Sequence, residues 1–197
     1  LSIRRQRQMC IRDRQNGVAA SKAHAHPLFN QLQQLQMEAV AGNADSDLAL
    51  ETEADLHEVL DLEKVSDMDK MAMDVVAMLF DYLASEDTIA PPFREVLAQL
   101  HIPFLKATML DPDVLQQADH PARQFLNRTA AIASGLDATT VPGKEIHAGM
   151  AQAVEKILHD FQEHTRVFDE ATTQFNRIVE ELSLIHISEP TRQEAIS

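Results

Sequence analysis

Apolar residues in this chain recur at intervals of three and four, and no useful length of it alternates with a period of two. The clearest run follows Ser66 and comprises Met68, Met71, Ala72, Val75, Val76, Leu79, Phe80 and Leu83, with Met73 and Met78 beside it. This spacing is typical of a helix with one buried face. Ser66 stands where an N-cap is preferred, and Asp67 and Asp69 suit the positive end of the helix dipole. We predict that this helix is the central one of the domain.

Prolines between positions 91 and 142 indicate where helices begin. A proline in a helix interior costs about 3 kcal/mol, whereas in the first turn its missing N–H costs nothing. We therefore predict short helices beginning at Pro91, Pro103, Pro112 and Pro121, and a turn at Val141-Pro142-Gly143.

A long apolar series follows residue 144. Its positions, stepping by four and three with one extra four-residue step, are Ile146, Met150, Ala153, Ile157, Phe161, Thr165, Phe168, Thr172, Phe175 and Val179. We interpret residues 144–181 as one long bundle helix rather than a free-standing coiled coil. The fold prediction is all-α: a helical bundle with short Pro-started helices and one long C-terminal helix. A chain with five glycines and no tryptophan fits this class.

Both ends of the chain resemble translated sequencing adapter. Residues 4–13 and 182–192 back-translate to the two adapter ends of tagmentation libraries, each in the matching orientation. The alternative is a basic N-terminal arm and an ordinary tail. We therefore expect residues 1–14 and 182–197 to be non-biological. We expect residues 15–53 to form a weakly structured acidic and Gln-rich linker with one short helix, and residues 54–181 to form a truncated helical domain.

The formal charge of -14 argues against nucleic acid and anionic membrane as partners. No run of about 18 apolar residues is present, so we expect no membrane-spanning segment. Cys10 is the single cysteine and lies in the N-terminal adapter-like stretch. The remaining sequence therefore has no disulfide, which is compatible with a reducing compartment, and we predict a cytoplasmic location. The oligomeric state is not predicted.

No motif in the sequence indicates chemistry. The glycines are isolated, so no loop cradles phosphate, and neither a Gly-x-Ser-x-Gly elbow nor a catalytic cysteine is present. Carboxylates and histidines between Glu155 and His164 lie four apart on one helix face but lack the Glu-x-x-His spacing of di-metal sites. We predict no catalytic, cofactor-binding or metal-binding residue, and no cofactor. We interpret the chain as non-enzymatic.

One local stretch stands out as a candidate structural or binding corner, formed by His120, Arg123 and Asn127. His120 is placed to cap a helix that begins at Pro121, and Arg123 is placed to pair with a nearby carboxylate. Asn127, if buried, should bond a neighbouring backbone group. A structural corner joining two helices is the favoured interpretation, and a ligand site is the alternative.

Several separate blocks of the sequence resemble the proteobacterial domain of unknown function 1631 family over residues 56–181. The blocks are Asp74–Leu83, Leu97–Lys106, Leu110-Asp111, His120–Arg123 and Leu126-Asn127. The sequence departs from the family at Leu115 and at Gln99-Leu100-His101. Members are often labelled thymidine phosphorylase, and the resemblance implies a long parent protein with a PilZ-type region that senses cyclic di-GMP.

The phosphorylase label fits this sequence poorly, because such an enzyme must bind phosphate and the chain is acidic with no glycine-rich anion loop. We therefore interpret the chain as a helical module of a larger cytoplasmic regulatory or scaffold protein. Its expected partners are another protein or other domains of the parent chain. The alternatives are a nucleoside-directed enzyme domain and an oligomerisation module acting through residues 144–181.

Overall fold

The computed structural model describes residues 27–40 and 65–188, and the all-α prediction is confirmed there. In these two ranges every regular element is a helix, and extended pairing is limited to one isolated bridge between Ile89 and Ser134. The helices are α1 (Pro27–Val40), α2 (Asp67–Ser85), α3 (Pro91–Ala98), α4 (His101–Leu110), the single turn α5 (Asp113–Gln116), α6 (Pro121–Ala133), α7 (Val141–Asp160) and α8 (Arg166–Ser188). The predictions for residues 1–26, 41–64 and 189–197 lie outside the described residues.

Helix starts follow the caps and prolines of the sequence. Ser66 Oγ accepts from the Asp69 backbone N–H (3.2 Å), as the N-cap prediction requires. Pro91 and Pro121 begin α3 and α6 as predicted, whereas α4 begins two residues before Pro103 and α5 begins one residue after Pro112. The expected turn at residues 141–143 is instead the first turn of α7, because Thr140 Oγ1 accepts from the Gly143 backbone N–H (3.1 Å) and caps the helix.

The centre of the bundle is α4, whereas the sequence predicted α2. Seven of the ten α4 residues are buried, namely His101 and Pro103 to Thr108. α4 packs against α1 on one side and α2 on another. α2 buries only one face, formed by Met73, Val76, Ala77, Phe80 and Leu83. Its Phe80 ring stacks on His101 with centroids 4.9 Å apart, which joins the two helices.

α1 belongs to the same hydrophobic core as the helices after residue 65, although the sequence analysis placed it in a linker. Leu28 and Leu32 are fully buried in that core. α1 contacts α4 and α7. The proposed boundaries near residues 15 and 54 themselves stay predictions.

The single long helix predicted over residues 144–181 is wrong. The chain turns at residues 161–165, and α7 and α8 pack against each other as a helical hairpin. Gly149 and Ile178 meet across this hairpin, since a Cβ at Gly149 would lie 2.9 Å from Ile178 Cδ1. The turn lets the Phe161 and Phe168 rings pack edge-to-face at 5.1 Å, and both are buried. Burial of two apolar faces on each other therefore outweighs continuation of one helix.

α8 continues through Glu181 to Ser188, and Leu182 packs against the core. This helix therefore crosses the boundary at residue 182 where adapter sequence was expected to begin. The adapter origin of the two ends stays a prediction. None of the helices in the described ranges is long and apolar enough to cross a membrane.

We predict that a distance measurement will separate a hairpin from one continuous helix. Glu145 and Glu181 are exposed and lie 36 residues apart. A continuous helix rising 1.5 Å per residue would separate them by about 54 Å. Spin labels on Glu145→Cys and Glu181→Cys, with Cys10→Ser, should give a distance below about 30 Å by pulsed electron resonance. A distribution centred near 54 Å would contradict the hairpin.

Candidate functional site

The predicted corner residue His120 caps α6. Its Nδ1 accepts from the Ala122 backbone N–H (3.2 Å), and the side chain is buried. Its Nε2 lies 3.8 Å from Asp111 Oδ2, at the end of α4. His120 therefore joins the start of α6 to the end of α4, as an N-cap with a second partner.

Arg123 belongs to the same corner, whereas Asn127 does not. Arg123 Nη1 donates to the Leu115 carbonyl oxygen of α5 (2.9 Å) rather than to the carboxylate that the sequence suggested. Asn127 is exposed, one turn further along α6. The geometry of His120 and Arg123 joins α4, α5 and α6. A binding role for the three residues stays a prediction.

The most unusual polar side chain in the described residues is Lys106, which the sequence analysis did not single out. It lies on α4 and is completely buried. Lysine is almost never fully buried unless it is paired. The three acceptors of its ammonium are neutral: Nζ donates to Gln33 Oε1 (2.5 Å), to Gln36 Oε1 (2.7 Å) and to the Phe161 carbonyl oxygen (3.0 Å). Three acceptors match the three N–H donors of a protonated lysine.

Two aromatic rings complete the surroundings of Lys106. Nζ lies 4.8 Å from the centroid of Phe161 and 5.3 Å from that of Phe29. Rings at these distances attract a cation through their negative faces. The attraction does not compensate for the lost hydration of the charge, because burial lowers the pKa of the Lys106 ammonium from its ordinary 10.5 to about 7.

Lys106 and its neighbour Gln36 close the C-terminal end of α7. Gln36 Nε2 donates to the carbonyl oxygens of Leu158 (2.6 Å) and Phe161 (3.1 Å). The last carbonyls of a helix have no partner within the helix and carry partial negative charge, so an amide and a cation stabilise them. The cluster therefore connects α1, α4 and the end of α7.

The cluster offers little to a substrate, although a lysine with a low pKa can act as a base or a nucleophile. Nζ has no solvent exposure, and its three N–H bonds all go to protein oxygens. Its geometry is that of a structural centre. Among the described residues no group of three or more His, Cys, Asp or Glu side chains is arranged to hold a metal ion.

One sequence signal could have found this centre. Residues 102–110 form an otherwise almost wholly apolar segment, so its helix is apolar on every side and Lys106 has no polar face to occupy. A lysine in such a helix must find buried acceptors. The partners Gln33 and Gln36 lie some 70 residues away in sequence, and spacing gives no indication of them.

α2 carries a second apolar face, which points away from the core. Its residues and exposed fractions are Met68 (75 %), Met71 (63 %), Val75 (38 %), Met78 (60 %) and Tyr82 (61 %). The apolar periodicity predicted that Met68, Met71, Val75 and Met78 are buried, and that prediction is wrong. Only the face through Met73, Val76 and Phe80 meets α3 and α4. We call residues 68, 71, 75, 78 and 82 the outer stripe.

Comparison with protein families gives one match. Residues 19–164 match the model described as protein of unknown function (DUF1631), 2nd domain. The chain belongs to the DUF1631 family. The match includes α1 and everything through α7, so the family's second domain contains both the Lys106 cluster and the outer stripe. No curated protein and no solved structure matches the chain.

We predict that His120 contributes to stability and Asn127 does not. His120→Ala removes an N-cap and should lower the free energy of unfolding by about 1 kcal/mol. Asn127→Ala, on the exposed side of the same helix, is the control and should change it by less than about 0.5 kcal/mol. Urea denaturation measures both. Equal stability of the two variants would argue against the capping role.

We predict that stability rises with pH because of Lys106. Its folded pKa of about 7 lies below the unfolded 10.5, so the unfolded chain holds one more proton between these values. Burial of the protonated Lys106 side chain lowers the free energy of unfolding by its full amount below pH 7, and this loss declines as the pH rises. The slope for one proton is about 1.4 kcal/mol per pH unit. Urea denaturation at pH 7, 8 and 9 should show this slope in the wild type but not in Lys106→Met.

The control for this pH dependence is Lys144→Met, the same substitution at an exposed lysine of α7, which should keep the wild-type slope. A direct check is the carbon-13 shift of the Lys106 Cε, which should titrate near pH 7. Parallel pH profiles for wild type and Lys106→Met, or a midpoint above pH 10, would contradict the assignment.

Proposed function

We propose that this DUF1631 domain is a non-enzymatic helical module of a larger regulatory or scaffold protein, and that it binds other protein segments. The observation that carries the proposal is the outer stripe of α2. Five apolar residues lie on one helix face, four of them at least 60 % exposed, while the opposite face of the same helix is packed in the core. A contiguous apolar surface of this kind typically marks an interaction site.

The description of the family model as a second domain supports the larger protein, since it implies at least one other domain among family members. A partner therefore need not be a separate protein. We place the module in the cytoplasm because its single cysteine allows no intrachain disulfide. The link to cyclic di-GMP stays an implication of the resemblance, since it concerns another region of the family's proteins.

The Lys106 cluster weighs against the nucleoside-directed alternative. A phosphorylase needs cations that face phosphate, whereas the ammonium of Lys106 already donates to three protein oxygens. Calorimetry with thymidine and with inorganic phosphate, each at millimolar concentration, should give no binding heat. Saturable heat with either ligand would favour the enzyme.

We predict that charging the outer stripe leaves the fold intact. Met71→Asp and Met78→Asp place a carboxylate at exposed positions, so the free energy of unfolding should change by less than about 0.5 kcal/mol each. Met37→Asp is the matched control, at a methionine 62 % exposed on α1. Losses of 2 kcal/mol or more at Met71 or Met78 would mean that the chain itself covers this face.

We further predict that the stripe makes contacts in the parent protein. A photo-crosslinking residue at position 78, in the parent protein inside cells, should give crosslinks that map to one recurring protein segment. They should be absent with the same residue at position 37 and lost when Met71→Asp is added. Equal products from both positions, or none, would contradict the proposed function.

A further inference from the structure

The geometry points to the class of segment that the outer stripe binds: an amphipathic helix whose apolar stripe is edged by Lys or Arg. This inference rests on the proposed function and deepens it by naming the chemistry of the partner. It follows from the spacing of the stripe, from the second face of α2 and from the charges along its edge.

The spacing of the outer stripe is that of a helix-pairing seam. Its members, residues 68, 71, 75, 78 and 82, step by three, four, three and four. This is the a and d pattern of a heptad, in which each side chain of one helix fits between side chains of another. The stripe runs over 15 residues, and its first and last members lie about 21 Å apart along the helix at 1.5 Å per residue. A helix of three to four turns is the element that covers it.

The presence of two apolar faces on α2 distinguishes the outer stripe from methionines scattered singly over a surface. A surface helix ordinarily has one apolar stripe, which faces the core. α2 buries Met73, Val76 and Phe80 on that side and still presents the outer stripe on another. Methionine predominates in the stripe, and it adapts its shape to varied partners because its side chain is long and unbranched.

An acidic row borders the stripe on one edge. Asp67, Asp74 and Asp81 are exposed, lie seven residues apart and each precede a stripe residue by one position. In heptad terms they occupy one flanking position, where charges select the partner helix. Lys70 lies between Asp67 and Asp74 on that side of the helix, and Asp74 already has an interaction within the chain, so the carboxylates left for a partner are those of Asp67 and Asp81. A partner with cations along the facing edge fits them.

A second copy of this chain fits the same edge poorly. In an antiparallel pair the two Asp rows would face each other, and like charges repel. In a parallel pair each Asp row would face Ala72 and Leu79, which carry no charge. Neither orientation supplies cations, whereas a basic amphipathic helix supplies them in both.

Three fluorescein-labelled 21-residue peptides test the inference against the full chain by anisotropy at nanomolar peptide. The first has Leu at a and d and Lys at e and g. The second has the same Leu stripe with Glu at e and g. The third keeps the Lys residues but has Ser at a and d. We expect saturable binding of the first peptide, and at least tenfold weaker binding of the other two.

Charge reversal on α2 provides the matched variants. Asp67→Lys and Asp81→Lys together should weaken binding of the Lys peptide at least tenfold and strengthen binding of the Glu peptide. The control carries Asp119→Lys and Glu145→Lys, which change the net charge equally at exposed positions outside α2. It should leave the preference for the Lys peptide in place.

Each other outcome overturns the inference in a recognisable way. Equal binding of the Lys and Glu peptides would show that the partner need not be basic. The outer stripe would still bind a helix, so the proposed function would stand. Equal binding of the Lys and Ser-stripe peptides would mean that net charge alone attracts them and that the apolar stripe makes no contribution. No binding removes this partner class, and crosslinking at position 78 then decides the proposed function. A dimer by light scattering that Met78→Asp converts to monomer makes a second copy the occupant.

Discussion

The packing of this domain depends on where the ammonium of Lys106 is placed. The side chain is buried at the centre of the bundle, and removing its water is unfavourable enough to lower its pKa to about 7. Three neutral oxygens accept hydrogen bonds from it in place of water: two belong to side chains of α1, and one is the carbonyl oxygen of Phe161, directly after α7. Because these acceptors come from segments far apart in sequence, the charge is tolerated only when α1, α4 and α7 are assembled together. A buried polar group that must be satisfied therefore favours one arrangement of the bundle over others.

The same cluster accounts for the turn after α7. A helix ends readily where its last carbonyl oxygens find other donors, and Gln36 and Lys106 provide such donors at Leu158 and Phe161. Once the chain has turned, Lys156 on α7 lies 3.5 Å from Glu170 on α8 and 2.6 Å from Asp160, and its hydrogen bond to Asp160 raises the pKa of the lysine. These pairs are exposed and contribute little to stability. The apolar contact of the hairpin, in which Gly149 allows the two helices to approach closely, is the larger effect.

What the sequence could predict here was local, and what it missed was tertiary. Caps at Ser66 and His120 and the proline at position 91 determine helix starts through bonds within a few residues, so pattern alone finds them. The turn at residues 161–165 contains neither glycine nor proline, and the groups that favour it, the donors Gln36 and Lys106 and the apolar face of α8, are recognised only in the folded structure. Periodicity likewise finds an apolar face on α2 but cannot tell which of two such faces meets the core, because burial depends on the neighbours α3 and α4. The candidate site was missed for the same reason, since neither Lys106 nor the outer stripe has a motif.

The Lys106 cluster lies in the interior of the domain, whereas the outer stripe lies on its surface. Phe80 fixes α2 to α4 through its stack on His101 and an edge contact with Phe104 at 5.9 Å, so the outer stripe is presented on a helix already held in place. A surface ordered before it binds loses less conformational entropy on binding than a segment that folds on contact. The stripe supplies apolar area to many helices, since methionine accommodates them, whereas the Asp row distinguishes among them by charge. Affinity would then depend mainly on Met68, Met71 and Met78, and selectivity on Asp67 and Asp81. A partner that matched only the apolar stripe would bind without selectivity.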